Sequence, residues 1–285
     1  MKRLCFITAT TVVHCRVGSG TFRTSDGCML AFRVHPAPSP RAPRIALVHS
    51  LGLDRSMWDG VVGGLKEQAE ILTYDCRGHG RSERRAMPYT VELFARDLAE
   101  LLDHAGWTSA AAAGCSMGGC VAQAFAALYP ARVTALGLIS TTAWYGAKAP
   151  ALWHERAEIA STQGLRALVD SQLERWFGES FRKLDTSAAS ALVESLLAND
   201  VQCYAAACEM LGATDLRPCL EAIAVPTTVI AGEEDLPEPL KMARALHKAI
   251  AKSTLTFVPK SRHLTPVERP GETAQALLAL LEPRR

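Results

Sequence analysis

Three residues in this chain stand in an order that suits acyl transfer. Ser116 lies in Gly114-Cys115-Ser116-Met117-Gly118, a G-x-S-x-G pattern. A serine hydroxyl is a weak nucleophile at neutral pH, so it needs a base, an acid to orient that base, and donors for a developing oxyanion. Downstream, Gly232-Glu233-Glu234-Asp235 offers the acid, and His263, the only histidine after residue 247, offers the base. Asp235 is the expected acid, Glu234 the runner-up and Asp215 a remote third. A carboxylate at such a place accepts an imidazole N–H and fixes its tautomer. Taken singly, an acidic cluster is a solvated turn, a lone histidine is a packing residue, and a five-residue pattern recurs by chance. Only the combination carries chemistry.

These residues need elements to hold them. Ala110 to Ala113 is a short apolar run and Met117 to Leu128 an amphipathic one, so Ser116 falls on a strand–turn–helix junction. Glycines there allow a strained turn and close backbone approach. Further strands are expected at 21–23 and 28–34 (a hairpin about Ser25-Asp26-Gly27), 44–48, 70–74, 133–139, 227–231 and 253–258. Helical periodicity covers 59–68, 90–105, 239–250 and 268–281, with Thr90 as an N-cap. Strands alternating with helices in this way predict an α/β fold with a mostly parallel, doubly wound sheet. Residues 146–212 break the rhythm with helical patterns alone (Trp153 to Thr162, Gly164 to Phe177, Thr186 to Leu197 and Val201 to Leu211), and are expected to form an inserted helical cap. The expected division is an N-terminal extension at 1–20, a core made of 21–145 and 213–285, and the cap. Asp235 and His263 then each follow a late strand, and the chain order Ser…Asp…His is that of the α/β-hydrolases. The backbone amides of Met117, beside the nucleophile, and Leu51, after the first buried strand, are the expected oxyanion donors. His49 and His79 are expected to be structural or to lie near substrate.

Composition narrows the class. Lys and Arg number 31 against 29 acids, which calls for neither nucleic acid nor an anionic membrane surface as partner. No run of about 20 apolar residues predicts a membrane helix. Met1 to Val13 resembles a weak signal peptide interrupted by threonines and lacking a cleavage site, and is expected to be an irregular extension or the result of a start codon placed too early. The nine scattered cysteines form no C-x-x-C or zinc pattern, so reduced thiols and a cytoplasmic location are expected. No metal or cofactor is called for. No oligomeric state follows from the sequence.

Over roughly residues 20–283 the chain resembles the α/β-hydrolase superfamily, and within it the 3-oxoadipate enol-lactonases of the β-ketoadipate pathway. The stretch Ser50-Leu51-Gly52-Leu53-Asp54-Arg55-Ser56-Met57-Trp58-Asp59 is similar to that family's S-L-G-x-D-x-x-M-W-D. Thr141-Thr142-Ala143-Trp144 with Trp153-His154-Glu155-Arg156 resembles its cap entrance. Asn199-Asp200 to Tyr204, Asp215-Leu216-Arg217-Pro218, and His263-Leu264 with Val267-Glu268-Arg269-Pro270 also match. His49 stands where these lactonases often carry Asn, and Asp235-Leu236-Pro237-Glu238-Pro239 departs from their usual run. The resemblance implies cofactor-free opening of a small carboxylated enol-lactone in aromatic-compound catabolism. It also implies a cationic or hydrogen-bonding partner for the substrate carboxylate, for which Trp144 and Arg156 are candidates. Other capped serine hydrolases (a carboxylesterase, a C–C bond hydrolase or a perhydrolase) are the alternatives within enzymes. A ligand-sensing protein with a slow triad is the alternative outside them.

Overall fold

A computed structural model describes residues 18–184 and 186–282. Eight strands form one sheet: β1 (Ser19–Arg23), β2 (Met29–His35), β3 (Arg44–Val48), β4 (Glu70–Tyr74), β5 (Ala110–Cys115), β6 (Val133–Ile139), β7 (Thr227–Gly232) and β8 (Ser253–Val258). Their spatial order is β1-β2-β4-β3-β5-β6-β7-β8. The β1–β2 hairpin is antiparallel and joins β4 antiparallel, while every pairing from β4 through to β8 is parallel. This is the mostly parallel, doubly wound sheet that the sequence predicts. β1 begins inside the stretch read as an N-terminal extension, because Ser19 and Gly20 pair with Arg33 and Phe32. Residues 1–17 of that extension, including the signal-like segment, lie outside the described residues.

The helices are α1 (Asp59–Leu65), α2 (Val91–His104), α3 (Met117–Leu128), α4 (Ala149–Gln163), α5 (Val169–Trp176), α6 (Glu179–Leu184), α7 (Thr186–Leu197), α8 (Val201–Ala213), α9 (Pro237–Ala249), α10 (Thr265–Glu268) and α11 (Pro270–Leu281). Thr90 caps α2 by accepting the Leu93 amide at 3.1 Å. The pair α1 and α11 packs together on one face of the sheet, and α2 and α3 pack together on the other. α4 to α8 lie between β6 and β7 and include no strand, with α4 packed along α8. The Gly164 to Phe177 stretch, expected as one helix, divides: a 3₁₀ turn at Leu165–Leu168 precedes α5. The short α6 has no counterpart in the expected pattern.

β5 is buried along its whole length and is built almost entirely of alanine. Small side chains let the covering helices come close, and in a sheet covered on both faces they leave no polar face. The strand order reverses between β3 and β5. In open α/β sheets the crevice at the carboxyl ends of the strands at that switch point is where ligands sit. Ser116 follows β5 there, and Leu51 follows β3. No helix among the described residues is long and apolar enough to cross a membrane.

One buried ion pair braces the turn after β4. Arg77, 1% exposed, grips Asp97 of α2 through two bonds of 2.6 Å and reaches Asp26 of the β1–β2 turn at 2.9 Å. The Asp75-to-Ser82 turn also bonds itself, Ser82 Oγ donating to the Asp75 carbonyl at 2.5 Å. Removing one partner of a buried pair and stranding the other charge costs about 3–5 kcal/mol. Asp97→Ala leaves Arg77 only the partly exposed Asp26, and is expected to lower the unfolding free energy by up to about that amount in urea titration. Asp103→Ala, which breaks the more exposed Arg132–Asp103 pair, is expected to cost within about 1 kcal/mol.

Candidate active site

Ser116 stands between β5 and α3 with φ 54° and ψ −114°, a left-handed conformation that a serine rarely adopts. Gly118 explains why the turn tolerates no side chain behind it. A Cβ on Gly118 would meet the Val48 carbonyl oxygen at 2.1 Å, so the first turn of α3 lies directly against the end of β3. The same approach sets the loop after β3 beside the nucleophile.

Asp235 and His263 come from the loops after β7 and β8. Gly232 lets those loops meet, since a Cβ there would lie 2.0 Å from the Arg262 carbonyl oxygen. His263 Nε2 lies 3.1 Å from Ser116 Oγ, and His263 Nδ1 lies 3.1 Å from Asp235 Oδ2. The other Asp235 oxygen accepts the Leu236 amide at 2.8 Å. All three side chains are buried. The structure thus brings together the three residues that the sequence singles out, in a hydrogen-bonded chain that can pass a proton from hydroxyl to imidazole. Glu234 and Asp215 are not part of it. Glu234 bonds by its backbone amide to Ser261, and Asp215 forms a two-pronged pair with Arg217.

The electrostatics of the three are mutually dependent. Burial pushes His263 below its ordinary value by penalising the imidazolium. Asp235 opposes that push, while the Arg175 and Arg156 guanidiniums add to it. Burial would raise Asp235, but the facing His263 and the Leu236 amide outweigh it and hold the carboxyl below the usual range. His263 is therefore a neutral base at neutral pH.

Leu51 lies in the loop against α3, and Met117 is the first residue of α3. Among the described residues, no acceptor pairs with either backbone amide. Two unspent N–H groups beside a buried serine can receive an oxyanion, and the α3 N-terminus adds its partial positive charge. His49 holds the Leu51 loop. Its Nε2 accepts the Cys76 amide at 2.8 Å, so its Nδ1 carries the proton and donates to the Ser50 carbonyl at 2.8 Å. That assigns His49 a structural part, and His79 Nδ1 pairs with the Arg77 carbonyl at 3.0 Å.

The two candidate substrate contacts separate. Arg156, on α4, donates from Nε to the Tyr204 hydroxyl at 2.8 Å and acts electrostatically on His263. Trp144 does not join the site. Its backbone bridges to Asp215, and the Arg217 guanidinium covers its ring at 3.7 Å. The ring lines a groove with Leu220, Met242 and Leu246 that no triad residue enters. The neighbouring Tyr145 hydroxyl lies 3.7 Å from Cys120 Sγ and interacts with Ser116, its phenol raised well above the ordinary value by burial. Arg175, on α5, is a second residue that the sequence does not single out. Its signal is faint, an arginine followed at once by the two buried aromatics Trp176 and Phe177. Cys115 and Cys120 are buried thiols raised by desolvation, unsuited to act as nucleophiles. No group of three or more His, Cys, Asp or Glu side chains that could hold a metal ion exists among the described residues.

A hydrogen-bonded Ser–His–Asp chain at the switch point of a mostly parallel sheet is the arrangement of the α/β-hydrolases. A family model for the alpha/beta hydrolase fold matches residues 43–270. 3-Oxoadipate enol-lactonase 2 of Acinetobacter baylyi is 32% identical over 240 residues, covering 84% of this chain and 89% of that protein. The crystal structure of the enol-lactonase from Burkholderia xenovorans LB400 superimposes with a TM-score of 0.87 at 33% identity, over 92% of this chain and 99% of that one. A thermophilic esterase from Thermogutta terrifontis, solved with malate bound, gives 0.86 at 28% identity, over 93% and 98%. The chain belongs to the alpha/beta hydrolase family.

If His263 acts as the base, the acid limb of kcat/KM for an activated ester is expected to fall below pH 6.5, because the protonated imidazole cannot accept the Ser116 proton. Asp235→Asn is expected to lower kcat by roughly 10³–10⁴-fold through loss of the productive tautomer. Labelling of Ser116 by a fluorophosphonate, absent in Ser116→Ala, separates a working nucleophile from an inert fold.

Proposed function

We propose that this hydrolase opens a small carboxylated enol-lactone, 3-oxoadipate enol-lactone, with Ser116 as nucleophile. What carries the choice of substrate is the 32% identity to an enol-lactonase along 84% of the chain, joined to a buried triad with two guanidiniums near it. His263 Nε2 takes the Ser116 proton as Oγ attacks the lactone carbonyl. The Leu51 and Met117 amides hold the oxyanion. The ring C–O bond then breaks, and His263 returns the proton to the departing enol oxygen. An enol is a better leaving group than an alkoxide, and it ketonises to the 3-oxo acid. Water, deprotonated by His263, attacks the acyl-enzyme, and the proton passes back to Ser116. The product is 3-oxoadipate. The residues supply every proton transfer in this scheme.

A carboxylesterase acting on an open-chain carboxylated ester is the second reading. It is favoured by the likeness to an esterase that binds the dicarboxylate malate. The free thiols among the described cysteines fit a cytoplasmic enzyme.

Steady-state assay of 3-oxoadipate enol-lactone beside p-nitrophenyl acetate distinguishes the two. Turnover of the lactone at kcat/KM of about 10⁴ M⁻¹s⁻¹ or more, lost in Ser116→Ala, is the expected result. Hydrolysis of the activated ester alone would remove the lactone and leave the esterase.

A further inference from the structure

The most buried arginine of the core, Arg77, commits its guanidinium to Asp97 and Asp26, and the partly buried Arg55 bonds Asp75. Arg175 does neither. It sits in the last turn of α5, one residue before Trp176, whose carbonyl accepts the Leu264 amide at 3.1 Å. That bond pins the end of α5 to the loop that carries His263. The side chain is half-buried, and among the described residues no acceptor takes any of its N–H groups. Tyr145 and Tyr204 lie within its electrostatic reach. So does Asp235, but that carboxylate is already spent on His263 and the Leu236 amide. Arg156 lies near enough to repel Arg175, and only its Nε is committed, to the Tyr204 hydroxyl.

Two half-buried cations stand near each other, and among the described residues no carboxylate of the protein pairs with either, so an anion between them would relieve their repulsion. A planar fork of five donors is matched by one small ligand group above others, a carboxylate. We propose that Arg175 binds the free carboxylate of the substrate's acyl chain, with Arg156, held by Tyr204, as the second wall of the same subsite. The inference rests on the hydrolase reading above and deepens it: the preferred substrates are acyl compounds with an acid group at the far end. Opening the enol-lactone gives such a chain, a six-carbon acyl group on Ser116 ending in a carboxylate. The arrangement also links recognition to chemistry. The unpaired cations push the His263 imidazole towards neutrality and weaken it as a base, and a bound carboxylate cancels that push.

The test uses two six-carbon esters that differ only in the terminal group, mono-4-nitrophenyl adipate and 4-nitrophenyl hexanoate. Wild type, Arg175→Gln, Arg175→Lys and Arg156→Gln are compared, with fluorophosphonate labelling of Ser116 to verify that each variant is folded. The ratio of kcat/KM for adipate over hexanoate is expected to fall about 10- to 100-fold in Arg175→Gln, mainly through KM, as charge-assisted bonds of this strength imply. It should recover in part in Arg175→Lys and fall less in Arg156→Gln. The acid limb of the pH profile should move to higher pH in Arg175→Gln, since a cation near His263 has gone, and stay in place in Arg175→Lys. A ratio within about twofold of wild type, or a parallel loss on both esters, overturns the assignment. If the lactone is inert while the ratio still collapses in Arg175→Gln, the choice of substrate fails and the carboxylate subsite stands. If the lactone turns over and the ratio is intact, only the subsite fails.

Discussion

The backbone at Ser116 is held where an L-residue pays about 1–3 kcal/mol to be. Four bonds keep it there. Its N–H donates to the Ile139 carbonyl at 2.9 Å, and its own carbonyl accepts the Gly119 amide at 2.9 Å, the Cys120 amide at 3.3 Å and the Thr141 hydroxyl at 2.7 Å. Ile139 ends β6 and Thr141 follows it, so the neighbouring strand holds the strained residue in place. The Val48 carbonyl, pressed on Gly118, closes the other side. A relaxed Ser116 would have to move three strand ends at once. That rigidity puts Oγ at hydrogen-bonding distance from a histidine 147 residues further along the chain.

Around this fixed point the site balances charge against burial. Desolvation alone would drive His263 down and Asp235 up, and so would pull an acid–base pair apart. Their mutual contact reverses the shift at Asp235 and moderates the one at His263. The carboxylate is thus held ionised by the imidazole it orients. Arg175 and Arg156 add positive potential from the helical insertion. That potential favours Asp235 as an anion and His263 as a neutral base, the two states that accepting a proton from serine requires. Core and insertion act on the same equilibrium from opposite sides.

What the sequence makes legible follows from how local each cause is. Ser116, Asp235 and His263 could be placed because each follows a strand of regular pattern, and strand ends are where a parallel sheet puts its loops. The Leu51 and Met117 amides were legible for the same reason, as positions on the backbone. Thr141 to Trp144 is the recognisable stretch, but the pattern does not say which way its rings face: Trp144 bridges to Asp215 and lies under Arg217, while the next residue, Tyr145, interacts with Ser116. Arg175 left almost no trace. Its environment comes from Tyr145, Arg156, Tyr204 and Asp235, which are scattered over the chain and meet only once the insertion has folded back. An amphipathic pattern says which side of α5 is buried, not what that side is buried against.

The insertion is joined to the core at the two loops that flank the nucleophile, and the bonds at each are largely made to main-chain atoms. On one side, Asn199 donates to the Gly52 carbonyl at 2.8 Å and Ser195 to Asp54 at 2.7 Å, so the link after α7 steadies the loop that offers the Leu51 amide. On the other, Glu268 accepts the Gly178 amide at 2.8 Å and the Arg262 amide at 2.6 Å, tying the segment after α5 to the residue before His263. Burial, with Glu234 close by, raises that carboxyl to about 7, so near neutral pH the tie holds with a carboxyl that is only partly ionised. Tyr204 is itself buried and packs against the Gly52 turn, and it holds Arg156 by its hydroxyl, so α4 and α8 are fixed relative to the loop that offers the Leu51 amide. Arg175, on α5, has no such bond to a protein acceptor among the described residues. The fold is shared at TM-scores of 0.87 and 0.86 with an enol-lactonase and an esterase, so the sheet and its strand-end loops do not by themselves choose the substrate.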